Sequence, residues 1–314
     1  MKEPTILIYH NRAEQYAEYL REAAGCSIRT AATPDEAAEQ LLGTDIILCW
    51  QLPGALLSAP EASTVRWIQS TGAGIDTLIN SSDVPDSIMI TRIVDQFGKL
   101  IAEYVLGYML FHNKGIGRLL VDQQSRIWGE QHVETLEGKV IGVAGLGSIG
   151  AEVVARARAF NMIVHGLSSS QEKAGLVDRH YTADEWTAFV RELDYLVLTL
   201  PLTEETRHVV TLDVLRELKE TACIINVGRG PLIVEESLVS HLQSHPQQTA
   251  VLDVFDKEPL PNDHPFWSLP NVIVTPHLSG PSRADDVSRF FLDNLERFKR
   301  GEPLKGIVDR QRGY

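Results

Sequence analysis

The sequence has few cysteines, no long apolar run and a deficit of positive charge. Its three cysteines, Cys26, Cys49 and Cys223, are odd in number and widely spaced. That pattern excludes a disulfide framework and a cysteine-based zinc site. We therefore expect buried free thiols in a reducing compartment and no bound metal.

The apolar runs are all too short to cross a membrane. A stretch such as YLVLTLPL falls far below the roughly 20 residues that a membrane-spanning helix needs. The opening residues MKEPTILIYH contain only a brief apolar run before polar residues, unlike a signal peptide. We expect a cytoplasmic protein without a membrane partner.

Acidic residues outnumber basic residues by 42 to 29, which gives a formal net charge of -13. A nucleic-acid surface needs clustered Lys and Arg, so we expect no nucleic-acid partner. The content of 44% hydrophobic and 23% charged residues is typical of a globular protein. A chain of 314 residues suffices for two domains, each with its own core.

Apolar runs of strand length alternate with helical patterns along the chain. The first series contains the runs TILIY, SIRTAA, DIILCW, VRWIQS and IMITR. The second begins at KVIGVAG, and its predicted strands are 139–144, 162–167, 195–200, 222–227, 248–254 and 272–277. This alternation predicts an α/β fold with two doubly wound parallel-sheet domains.

Two further helical regions are predicted outside these series. The region of about 99–127, with Tyr104 and Tyr108, is apolar nearly all round. We therefore expect it to be buried, either between domains or against another subunit. Near the end of the chain, Val287 and Phe291 begin an apolar stripe at helical spacing.

Residues 142–150 read GVAGLGSIG, in which Gly145, Gly147 and Gly150 have the spacing G-x-G-x-x-G. A buried-strand pattern precedes them and a helical pattern opens at Ser148, which is the order that a dinucleotide site requires. The glycines permit a tight turn, close approach of a pyrophosphate, and close packing of helix on strand. The helix N-terminus offers its N–H groups and positive dipole end to the phosphates. The alternative is an ordinary strand-to-helix turn.

The segment after the next strand bears on the choice of cofactor. A carboxylate there would hydrogen-bond to the free ribose 2′-OH of NAD. Instead the sequence NMIVHGLSSSQEK places Ser168, Ser169 and Ser170 at this point, with Lys173 just beyond. Hydroxyls and an ammonium can hydrogen-bond to the 2′-phosphate of NADP. These residues favour NADP(H), with NAD(H) as the alternative, because small polar residues suit either cofactor.

Charged side chains follow three successive predicted strands. Arg229 follows ACIINV, Asp253 and Glu258 belong to the segment TAVLDVFDKEP, and His277 follows NVIVTP. The carboxyl ends of parallel strands share one sheet edge, so these residues can converge beside a bound nicotinamide. Taken singly, each has a structural explanation, such as a capping histidine or a solvated turn residue. Together they predict a catalytic site.

The chemistry of a reductase needs each of these residue types. Arg229 supplies an always-charged fork for a carboxylate or a polarised carbonyl oxygen. His277 can donate and accept a proton near neutral pH. Glu258, if it reaches the other ring nitrogen, would fix the tautomer and favour the imidazolium. The set suits hydride transfer between a 2-oxo acid and its alcohol.

Several motifs together resemble the D-2-hydroxyacid dehydrogenase family, and within it the NADP-preferring glyoxylate/hydroxypyruvate reductase type. They are GLGSIG, LPLTEETRHVV, INVGRGPLIVEESL, AVLDVFDKEPLP and NVIVTPHLSG, in that order, with STGAGID and FGKLIAEYVLGYML in the first half. In the family, members that use NAD carry Asp where Ser168 stands. Members that use NADP often carry Arg close by, where Ser169 or Gln171 stands here. The related formate dehydrogenases carry Gln where Glu258 stands.

The resemblance implies roles for the site residues. Arg229 would anchor the substrate carboxylate, His277 would donate the proton with Glu258 as its partner, and Asp253 would lie near the nicotinamide. The predicted cofactor-binding residues are Gly145, Leu146, Gly147, Ser148, Ile149, Gly150, Ser168, Ser169, Ser170, Lys173, Leu200, Pro201, Val227, Gly228, Arg229, Asp253, His277 and Gly280. The predicted substrate-binding residues are Trp50, Gly72, Ala73, Gly74, Arg229 and His277, of which Trp50 is either a wall of the side-chain pocket or a core residue.

The resemblance also implies the domain organisation. A Rossmann-type dinucleotide-binding domain, 98–283, would be inserted into a flavodoxin-like substrate-binding domain made of 1–97 and 284–314. It implies a homodimer formed through the nucleotide domain and the helical arm near Trp128.

The predicted function is NAD(P)H-dependent reduction of a short 2-oxo acid, such as glyoxylate or hydroxypyruvate, with the proton coming from His277. The D configuration of the product is implied by the resemblance alone. The alternative is a non-catalytic NAD(P)-sensing protein of the co-repressor type. That protein would need the glycine loop but not Arg229, Glu258 and His277, and the presence of all three weighs against it.

Overall fold

The chain forms two compact units, each with its own parallel sheet. A computed structural model describes residues 3–79, 83–130 and 133–310. The first unit contains the chain up to Gln96 and again from Ser282, and the second unit is Phe97–Pro281. The predicted α/β class with two parallel-sheet domains is confirmed. The assignment of 1–97 with 284–314 to substrate and of 98–283 to the dinucleotide stays a prediction.

The first unit contains a five-stranded parallel sheet in the order β2-β1-β3-β4-β5. Its strands are β1 (Thr5–Tyr9), β2 (Ser27–Ala31), β3 (Ile46–Cys49), β4 (Trp67–Ser70) and β5 (Met89–Thr91). Its first helices are α1 (Ala13–Arg21), α2 (Pro34–Leu41), α3 (Gly54–Leu57) and α4 (Asp76–Ile79). Helix α2 begins at Pro34, because the Thr33 side chain accepts the N–H of Glu36 and proline fits the first helical position.

The second unit contains a seven-stranded parallel sheet in the order β12-β11-β10-β9-β6-β7-β8. Its strands are β6 (Val140–Ala144), β7 (Ile163–Leu167), β8 (Arg179–Tyr181), β9 (Tyr195–Leu198), β10 (Cys223–Asn226), β11 (Thr249–Leu252) and β12 (Val272–Val274). Its helices are α5 (Gly98–Asn113), α6 (Ile116–Gln124), α7 (Ser148–Ala159), α8 (Trp186–Val190), α9 (Leu212–Arg216) and α10 (Glu235–Ser244). Six strands lie within the predicted ranges. The seventh, β8, was not predicted because it is short and lacks an apolar run.

The helical region predicted over 99–127 is two helices, α5 and α6. Gly115 separates them with a left-handed backbone, φ +60°, a conformation that favours glycine. Within the single chain α5 buries its apolar face, as expected. In the single chain, Leu119, Leu120 and Val121 of α6 are 43–55% exposed, so the burial of α6 against another subunit stays a prediction.

The last helix, α11 (Ala284–Arg300), belongs to the first unit. The ring of Phe291 stacks on Trp67 of β4 with centroids 5.2 Å apart, and Phe298 stacks on the same indole at 5.3 Å. Buried Asn294 donates a hydrogen bond to Gln69 Oε1 at 3.2 Å. The end of the chain therefore folds with its beginning because α11 buries its apolar face against β4.

All three cysteines are free thiols. Cys49 and Cys223 are buried, and burial raises the pKa of both thiols to about 12. The expectation of burial is wrong for Cys26, which is only partly buried, with Sγ 3.3 Å from Glu3 Oε2.

The described residues contain neither a helix that could span a membrane nor a cluster of metal ligands. None of their helices combines the length and the apolar character needed to span a membrane. No cluster of three or more His, Cys, Asp or Glu side chains among them could hold a metal ion.

Candidate active site

The glycine loop joins β6 to α7 at the carboxyl edge of the seven-stranded sheet. Gly145 has φ +100°, and its N–H donates to Leu167 O at 2.8 Å. Helix α7 begins at Ser148, and no side chain among the described residues caps it at Gly147. A strand, a glycine turn and an uncapped helix N-terminus are the arrangement that receives a pyrophosphate.

The glycines of this loop differ in what a side chain would meet. A Cβ on Gly150 would lie 1.9 Å from Gly145 O, so only glycine fits there. A Cβ on exposed Gly147 would meet nothing within 4 Å among the described residues. The packing of the protein therefore does not require glycine at 147, whereas a pyrophosphate approaching the backbone would require it. The loop thus fits a dinucleotide better than an ordinary turn.

The segments after β9 and β10 lie beside the glycine loop. Thr199 Oγ1 donates to Gly145 O at 2.8 Å. A Cβ on Gly145 would be 3.0 Å from Leu200 N, and a Cβ on Gly228 would be 3.0 Å from Leu200 O. The predicted cofactor-binding residues at this part of the sheet edge are Leu200, Pro201, Val227 and Gly228.

Three other predicted cofactor residues differ in their surroundings. The Leu146 side chain is buried and would lie 2.9 Å from a Cβ on Gly166. Only its backbone can therefore contact a ligand. Ile149 is partly buried. A Cβ on Gly280 would be 3.0 Å from the Ile101 side chain of α5, so Gly280 packs closely on that helix.

The predicted serines follow β7 directly. Ser168 Oγ donates to Ser170 O at 3.0 Å and lies 2.9 Å from His180 Nε2. Because the single hydroxyl proton of Ser168 is used by Ser170, the hydrogen between Ser168 and His180 belongs to Nε2. Ser169 and Lys173 are exposed. Sequence reasoning missed His180, since it lies on the unpredicted strand β8.

Arg229 follows β10 in a loop whose backbone is fixed by short contacts. Asn226 Nδ2 donates to Arg229 O at 2.9 Å, and Arg229 Nη1 donates to Gly228 O at 2.6 Å. A Cβ on Gly230 would be 2.0 Å from Phe255 C. The flanking glycine therefore lets the loop after β10 approach the loop after β11.

His277 and Glu258 meet, although 19 positions separate them. His277 Nδ1 lies 2.8 Å from Glu258 Oε2, and Glu258 Oε1 accepts the N–H of Phe255 at 3.0 Å. The side chains of the pair are 38% and 37% exposed, so solvent reaches both. A carboxylate only accepts hydrogen bonds, so Nδ1 carries the hydrogen of this contact.

The surroundings of Glu258 favour its ionised form. Burial raises the pKa of its carboxyl, but three influences together outweigh burial: the hydrogen bond and charge of His277, the N–H of Phe255, and the charge of Arg229. They leave the pKa below its usual value. An ionised Glu258 stabilises a protonated imidazole beside it.

Asp253 is fully buried directly after β11. Its Oδ1 accepts hydrogen bonds from Leu278 N at 2.9 Å and Thr275 Oγ1 at 2.6 Å, and its Oδ2 accepts one from Ser279 N at 2.9 Å. The backbone O of Asp253 accepts the N–H of His277 at 2.9 Å. Asp253 therefore holds the loop that carries His277, a role that sequence spacing did not reveal. Its place beside the nicotinamide stays a prediction.

The predicted substrate residues of the first unit follow its strands β3 and β4. A Cβ on Gly72 would be 1.7 Å from Trp50 Cζ3, so the indole covers this glycine. Gly72 N donates to Ser70 Oγ at 3.2 Å, and Ser70 Oγ donates to Gly74 O at 3.4 Å. Trp50 is partly buried and packs on the Gly72–Gly74 loop, of which Ala73 is the middle residue. Their contact with substrate stays a prediction.

The residue set and its geometry agree with a family comparison. The sequence model of "D-isomer specific 2-hydroxyacid dehydrogenase, NAD binding domain" matches residues 106–279, more than half of the chain. The chain belongs to this family. This D-2-hydroxyacid dehydrogenase is therefore an NAD(P)-dependent oxidoreductase.

Individual relatives cover nearly the whole chain. Glyoxylate/hydroxypyruvate reductase A of Klebsiella pneumoniae is 28% identical over 318 residues, 98% of this chain and 99% of that protein. A D-isomer specific 2-hydroxyacid dehydrogenase family protein of Aeromonas salmonicida has a TM-score of 0.89 and 32% identity, covering 98% of this chain and 100% of that one. NADPH-dependent glyoxylate/hydroxypyruvate reductase of Sinorhizobium meliloti, solved with NADP and sulfate, has a TM-score of 0.90 and 28% identity over 100% of both chains.

Replacing Gly147 tests whether the loop receives the cofactor. We expect Gly147→Ala to fold with an unchanged Tm, because no described residue lies within 4 Å of its Cβ and its φ of -69° suits alanine. We expect NADPH affinity, measured by fluorescence titration, to fall about tenfold or more, which is about 1.4 kcal/mol. Gly107→Ala on α5 is the control, since its Cβ is equally clear of the residues that the structure describes. Equal NADPH affinity in the wild type and Gly147→Ala would contradict the assignment.

Proposed function

We propose that this dehydrogenase reduces a short 2-oxo acid, such as glyoxylate or hydroxypyruvate, to the D-2-hydroxy acid with NADP(H). The observation that carries the proposal is the 2.8 Å contact of His277 Nδ1 with Glu258 Oε2, in the unit that holds the glycine loop. The names of the Klebsiella and Sinorhizobium relatives support the substrate class. The D configuration rests on the family's name.

His277 is the proton donor in this mechanism. Because Glu258 accepts the hydrogen on Nδ1, the proton that moves is the one on Nε2, which the imidazolium gives to the carbonyl oxygen of the substrate. The N–H of Phe255 donates to the other carboxylate oxygen of Glu258. This contact keeps Glu258 Oε2 directed at His277 Nδ1. A positioned general acid contributes about 10²–10⁴ in rate.

Arg229 anchors the substrate carboxylate. Its guanidinium is charged at every working pH and can form two parallel hydrogen bonds to a carboxylate. A hydrogen bond to a charged group contributes about 1.5–3 kcal/mol. A bound nicotinamide supplies the hydride, which leaves the protein to orient the acid and deliver the proton.

A non-catalytic NAD(P)-sensing protein of the co-repressor type is less well supported. Such a protein needs the glycine loop but gives no role to an imidazole paired with an ionised carboxylate. The lowered pKa of Glu258 has a direct use in a reductase, because it favours the protonated form of His277.

NADP(H) is the preferred cofactor in this proposal. The position where a carboxylate would bind a free 2′-OH holds Ser168, and Lys173 follows in an exposed 3₁₀ helix, Gln171–Leu176. His180 Nε2 donates to Ser168 Oγ at 2.9 Å and holds that hydroxyl in place. The exposed Ser169 hydroxyl and the Lys173 ammonium can hydrogen-bond to a 2′-phosphate, and the NADP bound to the Sinorhizobium relative agrees with this preference.

A kinetic panel tests the proposed reaction. Glyoxylate, hydroxypyruvate, pyruvate and a longer 2-oxo acid are each supplied with NADPH and with NADH, and cofactor oxidation is followed at 340 nm. We expect turnover of at least one short acid, with a higher kcat/KM for NADPH than for NADH. We expect His277→Ala to bind NADPH as the wild type does but to lose at least a hundredfold in kcat.

The panel separates the parts of the proposal. Absence of turnover with every acid and both cofactors would contradict the reaction. A higher kcat/KM with NADH would contradict only the cofactor preference. Equal kcat in the wild type and His277→Ala would remove His277 from its role.

Replacing Glu258 tests its pairing with His277. In Glu258→Gln the charge-assisted contact to Nδ1 becomes a contact with a neutral amide, which holds the ring less firmly. We therefore expect kcat to fall about tenfold or more, with the Kd for NADPH unchanged. Glu236→Gln on α10 is a control outside this pair. A kcat unchanged by Glu258→Gln would contradict the pairing.

We also propose a homodimer formed through α6 and the segment that follows it. Trp128 is 100% exposed in the single chain, and Ile127 is 55% exposed. Large apolar side chains left exposed within one stretch of the chain are typical of subunit interfaces. Sedimentation equilibrium should give a mass near twice the chain mass of 34.9 kDa. We expect Trp128→Asp to shift the mass toward one chain and Leu42→Asp, at a 69% exposed site of the first unit, to leave it unchanged. A wild-type mass of one chain would contradict the dimer.

A further inference from the structure

A chain of two hydrogen bonds connects α5 to the buried carboxylate of Asp253. The Tyr104 hydroxyl of α5 lies 2.6 Å from Thr275 Oγ1, directly after β12. Thr275 Oγ1 donates to Asp253 Oδ1, also at 2.6 Å. Thr275 and Asp253 are 7% and 0% exposed, so water does not replace these contacts.

The direction of the hydrogen bonds follows from the number of protons. Thr275 has one hydroxyl proton, and Asp253 Oδ1 receives it. The hydrogen between the two hydroxyls must then come from Tyr104, which donates to Thr275 Oγ1. Burial raises the pKa of the Tyr104 phenol, so this donor keeps its proton throughout the working pH range. Both hydrogen bonds therefore run in the same direction: Tyr104 donates to Thr275, and Thr275 donates to Asp253.

Asp253, held in place by these hydroxyl groups, in turn fixes the backbone of the loop that carries His277. Its two carboxylate oxygens accept the N–H groups of Leu278 and Ser279, and its backbone oxygen accepts the N–H of His277. His277 itself has φ +50°, a left-handed conformation that is uncommon for residues other than glycine and persists where the surroundings impose it. The carboxylate of Asp253 supplies two of the contacts that impose it.

We propose that Tyr104 and Thr275 are positioning residues, which orient the Asp253 carboxylate and thereby keep the His277 ring in contact with Glu258. The proposal rests on the proposed function, in which His277 donates the proton. Neither hydroxyl is required to touch substrate or cofactor. Thr275→Val removes the donor to Asp253 and also leaves the Tyr104 hydroxyl without its acceptor. Tyr104→Phe removes only the outer donor, so its effect is smaller.

The first measurement uses the full-length protein without cofactor. In long-range ¹H–¹⁵N NMR spectra, the neutral His277 ring of the wild type should show one tautomer, with hydrogen on Nδ1, assigned by comparison with His277→Ala. We expect Thr275→Val to give a mixture of both tautomers, Tyr104→Phe a smaller admixture, and Thr275→Ser the wild-type spectrum. Thr44→Val is the matched control, because Thr44 is a fully buried threonine of the first unit that donates to a backbone carbonyl, Gln40 O.

The second measurement is steady-state reduction of a 2-oxo acid with NADPH. We expect Thr275→Val to lower kcat about tenfold to a hundredfold, the size of effect that small misplacement of a reacting group produces. The Kd for NADPH and the KM for the acid should change less than about twofold, since the glycine loop and Arg229 are untouched. We expect Thr275→Ser to restore most of kcat and Thr44→Val to match the wild type.

The two measurements separate the positioning role from the proposed function. A wild-type tautomer and wild-type kcat in Thr275→Val would overturn the positioning role. An equal loss of kcat in Thr275→Val and Thr275→Ser would also overturn it, because serine keeps the hydroxyl group and the loss would then have another cause. A changed tautomer with unchanged kcat would support positioning and contradict the role of His277 as proton donor.

Discussion

The hydrogen bond between His277 Nδ1 and Glu258 Oε2, 2.8 Å long, determines which ring nitrogen can give up a proton. With Nδ1 bound to a carboxylate, Nε2 is the nitrogen that would deliver the proton in the proposed reaction. The same carboxylate favours the charged ring, because nearby opposite charge stabilises it. Both properties depend on Glu258 remaining ionised, and the N–H of Phe255 together with the charges of His277 and Arg229 keeps its pKa low. The proposed acid and its partner thus depend on a loop that follows β11.

The positions of that loop and of the loop that carries His277 are set by the sheet and by Asp253, not by the His277–Glu258 contact itself. Parallel strands bring the segments after β10, β11 and β12 to one edge, and Asp253 fixes the backbone of the last segment through its carboxylate and its carbonyl. The glycine loop at the same edge has a different requirement. Gly150 is required by packing, whereas the space around Gly147 matters only when a ligand approaches. Gly150 and Asp253 therefore maintain the fold, whereas Gly147 is a position with room for a cofactor.

Much of this arrangement could be predicted from the sequence because it follows from local patterns. Apolar runs with turn residues marked six of the seven strands in the second unit, and the rule for parallel strand ends grouped Arg229, Glu258 and His277. Strand β8 was missed because RHY has no apolar run. The division between α5 and α6 was missed because the φ of +60° at Gly115 is a property of the folded chain.

The contacts around Asp253 could not be predicted for a different reason. The Tyr104 and Thr275 hydroxyls are 171 positions apart, and each residue has an ordinary structural explanation in the sequence. Tyr104 reads as part of an apolar helix, and Thr275 reads as the end of a strand. Their meeting depends on how α5 packs near the end of β12. His180, which meets Ser168 at 2.9 Å, was missed in the same way because it requires the pairing of β8 with β7.

The most direct test is a crystal structure of the protein with NADPH and oxamate, an unreactive analogue of a 2-oxo acid. We expect His277 Nε2 within about 3 Å of the oxamate carbonyl oxygen, with Nδ1 still on Glu258 and the Arg229 guanidinium on the oxamate carboxylate. An oxamate held by other groups, with the His277 ring turned into solvent and no longer bonded to Glu258, would contradict the proposed proton transfer.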